Sequence, residues 1–151
     1  MESGGGMSME LTYEPARPED IDAVFAFCKE LIDAYEDVAR IDYDEVLSWV
    51  RRKLAKRIGD YTRVLADGQL AGYYSFAPSG EKMELDDLYV LPAFRGRGIG
   101  TAVVERCCAQ TGLPVFLYVF RRNARAVALY ERLGFRVVEE VEETRLIMQR
   151  G

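Results

Sequence analysis

The amino-acid sequence predicts an α/β (α+β) domain with a central mixed, mostly antiparallel sheet of about seven strands and four flanking helices. Hydrophobic periodicity along the 151 residues changes in the order strand, two helices, three strands, helix, strand, helix, two strands. The dipeptide Asp67-Gly68, which favours a tight hairpin turn, separates two of the strand patterns. A later strand pattern runs through a glycine-rich turn directly into a helix, which is typical of sheets covered by helices.

Length and composition exclude several classes of protein. One core is expected for 151 residues, and 49% hydrophobic with 30% charged residues is the composition of a folded domain. No apolar run approaches the roughly 20 residues of a membrane span, and Met1–Met9 lacks the apolar stretch of a signal peptide. A cytoplasmic location without membrane contact is therefore expected. The net charge of -5 argues against nucleic-acid binding, which needs an excess of Lys and Arg.

Cysteine and histidine usage does not predict a metal site. Cys28, Cys107 and Cys108 form no CxxC pair, and the sequence contains no histidine. Few of the usual zinc ligands are therefore available. We expect no metal and reduced thiols.

The first half of the chain predicts a tail, a strand, two helices and a hairpin. Residues 1–9 are rich in Gly and Ser and are expected to form a flexible tail, so that the domain spans residues 10–151. Apolar residues at three-four spacing follow Pro18, and a second such series follows Asp42, a predicted helix N-cap. The helices are expected to reach Tyr35 and Gly59, and the strands to span 11–15, 62–66 and 69–77.

The second half predicts a strand, a helix, a strand, a helix and a final strand pair. Residues 78–82 are expected to turn the chain into the first of these strands. Gly112 and Gly134 follow the two helical patterns and are typical of helix C-termini. The predicted elements are a strand over 83–91, a helix over 98–110, a strand over 115–119, a helix over 123–133 and strands over 135–141 and 144–148.

The strand over 83–91 carries an irregular hydrophobic pattern. Apolar residues fall on odd positions at Met83 and Leu85, and then on even positions at Leu88 and Val90. A slip of one residue in a buried strand predicts a β-bulge near Asp86-Asp87, which would leave backbone groups unpaired for a ligand. The alternative is an irregular edge with two solvated aspartates.

The turn that follows this strand is suited to an anionic ligand. Gly96, Gly98 and Gly100 allow successive backbone N–H groups to converge, and the helix N-terminus adds partial positive charge. Arg95 and Arg97 would add charge-assisted hydrogen bonds to a pyrophosphate. The spacing matches neither the dinucleotide fingerprint nor the P-loop. A tight turn with solvated arginines is the alternative.

Two segments resemble those of GNAT N-acetyltransferases. Arg95-x-x-Gly98-x-Gly100, placed after Leu88-Tyr89-Val90, is similar to the acetyl-coenzyme A motif of that family. The segment from Asn123 to Phe135 is similar to the family's later segment, in which a helix ending in Tyr-x-x-x-Gly-Phe follows an Asn. The resemblance extends from residue 17 to about residue 148.

The resemblance implies a fold, an activity and a cofactor site. It implies a sheet splayed between its fourth and fifth strands, with the pantetheine arm of acetyl-CoA in the gap. It also implies direct acetyl transfer to a primary amine of a small molecule, peptide or protein, and makes a homodimer plausible. The residues expected to contact the coenzyme are Leu88, Tyr89, Val90, Arg95, Gly96, Arg97, Gly98, Ile99, Gly100, Thr101, Asn123, Arg125 and Tyr130.

Catalytic roles follow from the same resemblance. An amine acceptor is mostly protonated at neutral pH and needs a base. Glu84 lies at the position where several family members place a catalytic base. Asp86 shares a face of the strand with Glu84 if the bulge begins after Asp86. The alternatives are that a chain of water molecules acts as the base, or that Glu84 is simply solvated. Tyr130 is the expected acid for the thiolate, unless it is only a core residue. The amide of Val90 is a candidate donor to the thioester carbonyl.

The sequence does not identify the acceptor amine, and it is compatible with a second function. Opposite charge would favour a cationic amine near the acids between residues 33 and 45, although such acids are usually solvated. The rival is a non-catalytic acyl-CoA-binding sensor or complex subunit with the same fold. Trp49 is expected to be a packing residue. The acids are Asp33, Glu36, Asp37, Asp42, Asp44 and Glu45.

Overall fold

A computed structural model describes residues 9–151, and the predicted tail, apart from Met9, lies outside the described residues. Met9 itself packs against the core. The strands are β1 (Leu11–Pro15), β2 (Tyr61–Ala66), β3 (Gln69–Ser79), β4 (Lys82–Val90), β5 (Val115–Phe120), β6 (Arg136–Val141) and β7 (Arg145–Arg150). The helices are α1 (Ile21–Tyr35), α2 (Tyr43–Arg57), α3 (Ile99–Ala109) and α4 (Ala124–Arg132). Within this part of the chain, no helix has both the length and the apolarity that crossing a bilayer requires.

The seven strands form one sheet in the order β1-β2-β3-β4-β5-β7-β6. All neighbours are antiparallel except β4 and β5, which are parallel. β4 and β5 pair only at Met83 with Val115 and at Glu84 with Phe116. Beyond Glu84 the two strands separate, and the space between them is called the gap below. The predicted mixed sheet and its splay between the fourth and fifth strands are both confirmed.

Helices cover both faces of the sheet. α3 and α4 pack on one face around Val103, Val104 and Leu117, which are at most 2% exposed. α1 and α2 pack on the other face around Val24 and Leu54, which are fully buried. Each such side chain contributes about 1.5–3 kcal/mol by leaving water. The strands are therefore held firmly where the gap begins.

Two local predictions have different outcomes. The hairpin turn between β2 and β3 is confirmed, with positive φ at Asp67 (51°) and Gly68 (84°). The turn predicted to begin at Pro78 is wrong, because β3 continues through Pro78 to Ser79. Pro78 lies opposite Met83, whose N–H donates to Pro114 O instead (2.9 Å). The N–H that proline lacks therefore removes no hydrogen bond from this ladder.

Candidate active site

The glycine-rich turn ends in the N-terminus of α3. Gly96 and Gly98 have φ of 78° and 81°, in the left-handed region that favours glycine. Gly98 is the N-cap of α3, and its carbonyl accepts the N–H of Ala102 at 3.0 Å. The first-turn N–H groups, from Ile99 onward, have no carbonyl one turn earlier in the helix. The turn therefore places main-chain donors and the positive end of the helix dipole together, an arrangement that suits a phosphate group.

Two arginines flank this turn. Arg95 Nε donates to Val90 O at 2.9 Å, and its guanidinium lies 5.5 Å from the centre of the Tyr89 ring. The guanidinium of Arg97 lies 5.7 Å from the Phe94 ring. Arg95 thus ties the turn to the end of β4, and both cations lie on aromatic faces beside the α3 N-terminus.

β4 contains a bulge between Asp86 and Tyr89. Tyr89 pairs with Tyr73, whereas Asp86 pairs with Ser75, so β4 has one residue more than β3 in this interval. Asp87 has a φ of 49°, which is unusual for a residue with a side chain. The predicted bulge is confirmed, and it begins after Asp86.

The bulge changes which amides of β4 face the gap. Before it, the N–H of Met83 donates to Pro114 O on the β5 side at 2.9 Å. After it, the N–H of Leu91 donates to Ala71 O on the β3 side at 2.7 Å. Because successive residues direct their amides to opposite edges of a strand, the amides of Leu88 and Val90 face the gap. β5 does not pair with them there.

Gly72 fixes the position of β4 just after the bulge. A Cβ added at Gly72 would lie 2.1 Å from the carbonyl oxygen of Tyr89 and 3.3 Å from the Cα of Val90. Only glycine permits so close an approach of two strands. Gly72 therefore belongs to the structural support of the candidate site.

Three carboxylates lie on the α1/α2 face of β4. Glu84 and Asp86 line one small cavity together with Lys53, Arg57 and Tyr61. Asp86 accepts hydrogen bonds from Lys53 Nζ at 2.7 Å and from the N–H of Asp87 at 2.9 Å. The Asp87 carboxylate accepts the hydroxyl of Tyr61. Among residues 9–151, no group of three His, Cys, Asp or Glu side chains could hold a metal ion.

The environment shifts the pKa of these groups in a consistent direction. Burial raises the pKa of Glu84, and the negative charge of Asp86 raises it further. Burial, followed by the charge of Asp86, raises the pKa of Asp87 to about 7. Burial opposes the charge of Lys53, but Asp86 and Asp87 hold its pKa above the ordinary value. Glu84 can therefore accept a proton more readily than a solvated glutamate.

The other predicted site residues lie on α3 and α4. Tyr130 packs against the α3/α4 core and lies 5.7 Å from the Phe135 ring; burial first, and then the charge of Asp86, raise its pKa. Asn123 caps α4 by accepting the N–H of Ala126 at 3.3 Å. The side chain of Ile99 lies in the core, whereas Thr101 and Arg125 are exposed.

Most acids between residues 33 and 45 have local partners. Asp33 accepts Lys29 Nζ at 3.0 Å and the Tyr43 hydroxyl at 2.6 Å. Asp42 caps α2. The remaining ion pairs of this segment are Arg40 with Asp37 at 4.0 Å and with Glu143 at 3.9 Å, and Arg52 with Glu45 at 3.5 Å. The field of this segment is thus weaker than its count of acids suggests.

A sequence model of the acetyltransferase (GNAT) family matches residues 24–135, which include the bulge, the glycine-rich turn and α4. The chain belongs to this GNAT family. The match ends at Phe135, which is also the last residue of the segment from Asn123 that resembles this family.

Curated GNAT relatives match about half of this chain. The mycothiol acetyltransferase of Nocardia farcinica is 38% identical over 80 residues, which are 52% of this chain and 26% of that protein. The thialysine N-epsilon-acetyltransferase of Mus musculus is 35% identical over 82 residues, 47% of this chain and 46% of that protein. The chain thus spans between a quarter and a half of the length of these relatives.

Solved structures show the fold over nearly the whole chain. The PaiA N-acetyltransferase of Thermoplasma acidophilum, in complex with coenzyme A, aligns with a TM-score of 0.68 at 22% identity. The alignment covers 94% of this chain and 99% of that one. At this identity the likeness concerns the fold.

Sequence reasoning missed several residues of the candidate site. Lys53 and Tyr61 come from α2 and β2, and no motif connects them to β4 in the sequence. Gly72 gave the one available signal, since a glycine inside a strand indicates close backbone approach. The prediction that Trp49 is a packing residue is wrong, because it is 56% exposed and its ring centre lies 5.8 Å from Lys53 Nζ.

Proposed function

We propose that this chain is an N-acetyltransferase that moves the acetyl group of acetyl-CoA directly to a primary amine. The observation that supports this most strongly is a single gap in the sheet with three features around it. The amides of Leu88 and Val90 face it, the α3 N-terminus lies at its end, and Glu84 and Asp86 lie on the strand that forms its wall. Acetyl-CoA, when bound, supplies an acetyl thioester.

The main chain is proposed to bind the coenzyme. The turn from Arg95 to Gly100, with Ile99 and Thr101 contributing main-chain donors, would hold the phosphates. Leu88, Tyr89 and Val90 would border the pantetheine arm, and Val90 N–H would donate to the thioester carbonyl. Asn123 and Arg125 lie at the start of α4, where they would contact the arm and a phosphate.

Glu84 is the proposed base. The amine nitrogen attacks the thioester carbonyl carbon, a C–N bond forms and the C–S bond breaks. The proton that the amine loses goes to Glu84, directly or through one water. Asp86 is less suited to this role, because Lys53 and the Asp87 amide already donate to it. The raised pKa of Glu84 supports this assignment.

Tyr130 is the proposed acid. The leaving thiolate needs one proton, and a neutral phenol can donate it. Burial and the charge of Asp86 hold the pKa of Tyr130 above its ordinary value, so the hydroxyl keeps its proton at neutral pH. A neutral amine thus gives one proton to Glu84, and Tyr130 gives one to the thiolate. Proton exchange with solvent then returns Glu84 to its carboxylate and Tyr130 to its phenol.

The charge of the acceptor is a finer part of the proposal. The acids between residues 33 and 45 favour a cationic amine by attraction, but their local ion pairs reduce the expected effect. A comparison of cationic and anionic amines at low and high salt measures it. Equal use of both classes at low salt would show that this segment is a solvated surface. A cytoplasmic homodimer stays a prediction.

Turnover with a panel of amines tests the proposed function. Release of free coenzyme A thiol from acetyl-CoA should depend on the amine, and mass spectrometry should show one acetyl group on the product. Binding of coenzyme A without turnover of any amine would instead indicate a non-catalytic acyl-CoA-binding module. Absence of binding would contradict both.

A further inference from the structure

The strained residue of the bulge is held by a side-chain contact from another strand. Asp87 has its φ of 49° at the point where β4 gains its extra residue. Its carboxylate accepts the hydroxyl of Tyr61, a residue of β2 that is 1% exposed. The thiol of Cys28 on α1 faces the same carboxylate. A residue with a side chain persists in this conformation only where its surroundings fix it.

The Asp87 main chain is fixed as well. Its N–H donates to the Asp86 carboxylate at 2.9 Å, and Lys53 Nζ holds the other oxygen of that carboxylate at 2.7 Å. On the neighbouring strand, Gly72 permits β4 to approach closely at Tyr89. Groups on α1, α2, β2 and β3 therefore all act on this one interval of β4.

The geometry points to Asp87 and Tyr61 as positioning residues of the acetyl transfer: their hydrogen bond holds the bulge, and the bulge directs the amides of Leu88 and Val90 into the gap. This inference rests on the proposed function for its consequence in catalysis. Both side chains are proposed to act through the main chain of the bulge and not by contact with the reacting atoms. Without the extra residue, the alternation along β4 would direct Asp87 and Tyr89 toward β5 instead.

Loss of this contact should affect turnover more than coenzyme binding. The phosphate-binding turn begins at Arg95, eight residues along the chain from Asp87, and is held by its own contacts to β4 and α3. The amides that face the gap, in contrast, directly follow Asp87. A donor displaced by a fraction of an ångström stabilises the developing oxyanion less. The signature is therefore a fall in kcat with little change in coenzyme affinity.

A matched pair of tyrosine variants tests the inference. Tyr61→Phe removes the hydroxyl that Asp87 accepts. Tyr73→Phe removes a hydroxyl that donates to Asp20 at 2.9 Å, in the next strand of the same sheet and at a similar burial of 2%. We expect Tyr61→Phe to lower kcat about tenfold, because oxyanion positioning is impaired. Coenzyme A affinity should change less than about twofold, because the turn from Arg95 to Gly100 is proposed to hold the phosphates and is left intact. Tyr73→Phe should keep the wild-type kcat, although it loses a buried hydrogen bond too.

Variants of Asp87 separate positioning from folding. Asp87→Gly tolerates the positive φ but removes the carboxylate, so its kcat should fall as in Tyr61→Phe. Asp87→Asn keeps an oxygen that can accept the Tyr61 hydroxyl and should stay within about threefold of wild type. Wild-type kcat in both Tyr61→Phe and Asp87→Gly, or an equal fall in Tyr61→Phe and Tyr73→Phe, would overturn the inference.

A measurement without turnover distinguishes this inference from the proposed function. In amide NMR spectra, the Leu88 and Val90 resonances should shift in Tyr61→Phe and stay in place in Tyr73→Phe. If wild type turns over no amine but these shifts occur, the proposed function fails and the structural assignment stands. Unshifted Leu88 and Val90 resonances in Tyr61→Phe would refute the assignment whatever the activity.

Discussion

The two sides of the gap use different parts of the residues that build them. One side, called the coenzyme side because it is proposed to bind acetyl-CoA, consists mainly of backbone: the left-handed turn at Gly96 and Gly98, and the amides of Leu88 and Val90. The α1/α2 side consists of side chains, among them Lys53, whose Nζ donates a hydrogen bond to Asp86 just before the bulge. Backbone donors keep their chemistry when side chains change, whereas a side-chain cluster loses its chemistry with one substitution. Substitutions should therefore impair the coenzyme side by changing the backbone conformation, and the α1/α2 side by removing a single functional group.

The largest effect should come from changing the backbone of the turn. Arg95→Glu with Gly98→Val places a negative charge and a bulky side chain beside the phosphates. We expect coenzyme A affinity, measured by calorimetry at fixed salt, to fall more than about 100-fold. The control, Arg132→Glu with Gly68→Val, makes the same two changes elsewhere, and Gly68 also has a positive φ of 84°. Equal affinity in the two double variants would contradict the assignment of the turn.

The second effect concerns the side-chain cluster alone. Glu84→Gln should lower kcat by about 100-fold near neutral pH, as expected for loss of a general base, and leave coenzyme affinity unchanged. In wild type, kcat should rise with pH through the pKa of Glu84, which burial and Asp86 hold above the ordinary value. The variant should lack this limb of the profile. Glu81→Gln, at an exposed position, is the control, and the base is misassigned if both variants keep their pH profile.

The third effect is on stability and its dependence on pH. Burial and Asp86 raise the pKa of Asp87 to about 7, so the folded state holds a proton that the unfolded chain releases near pH 4. Stability from this group is thus complete below about pH 4 and is lost as pH rises through about 7, by about 3 kcal/mol between pH 5 and pH 8. The groups facing this carboxylate are Asp86, Lys53, Tyr61 and Cys28.

Asp87→Asn removes the titrating proton and keeps the shape of the side chain. Urea unfolding at pH 5 and pH 8 should therefore show a smaller loss of stability in this variant than in wild type. If the two proteins lose the same free energy of unfolding over this range, Asp87 is already ionised at pH 5. In that case the acid of the bulge behaves like a solvated aspartate.

The smallest effect concerns Tyr130, on the opposite face of the sheet from Glu84. Tyr130→Phe should lower kcat about tenfold, since it removes one general acid, and should change melting temperature and coenzyme affinity little. Tyr118→Phe serves as control, because Tyr118 is 43% exposed on β5. A wild-type kcat in Tyr130→Phe would show that this tyrosine acts only in packing against Phe135.

The main-chain geometry of the coenzyme side could be predicted from the sequence, because its signals are local. Glycine spacing predicted the turn, and the parity slip between Leu85 and Leu88 predicted a bulge near Asp86-Asp87, whose onset after Asp86 only the structure shows. The extent of β3 through Pro78 could not be predicted, since it depends on Met83 bonding to Pro114 across the sheet. The contact between Tyr61 and Asp87 depends on β2, β3 and β4 lying side by side. No residue spacing in the sequence indicates this arrangement.

The short pairing between β4 and β5 also affects the stability of the sheet. After the pairs at Met83 and Glu84, the sheet lacks the ladder that would join its two halves. A molecule that accepts from the amides of Leu88 and Val90 would complete that ladder in place of a strand. Coenzyme and protein would then melt as one cooperative unit, and the melting temperature would rise with coenzyme concentration. Without coenzyme, amide hydrogen exchange should be fastest along this seam, where the sheet is joined by so few bonds.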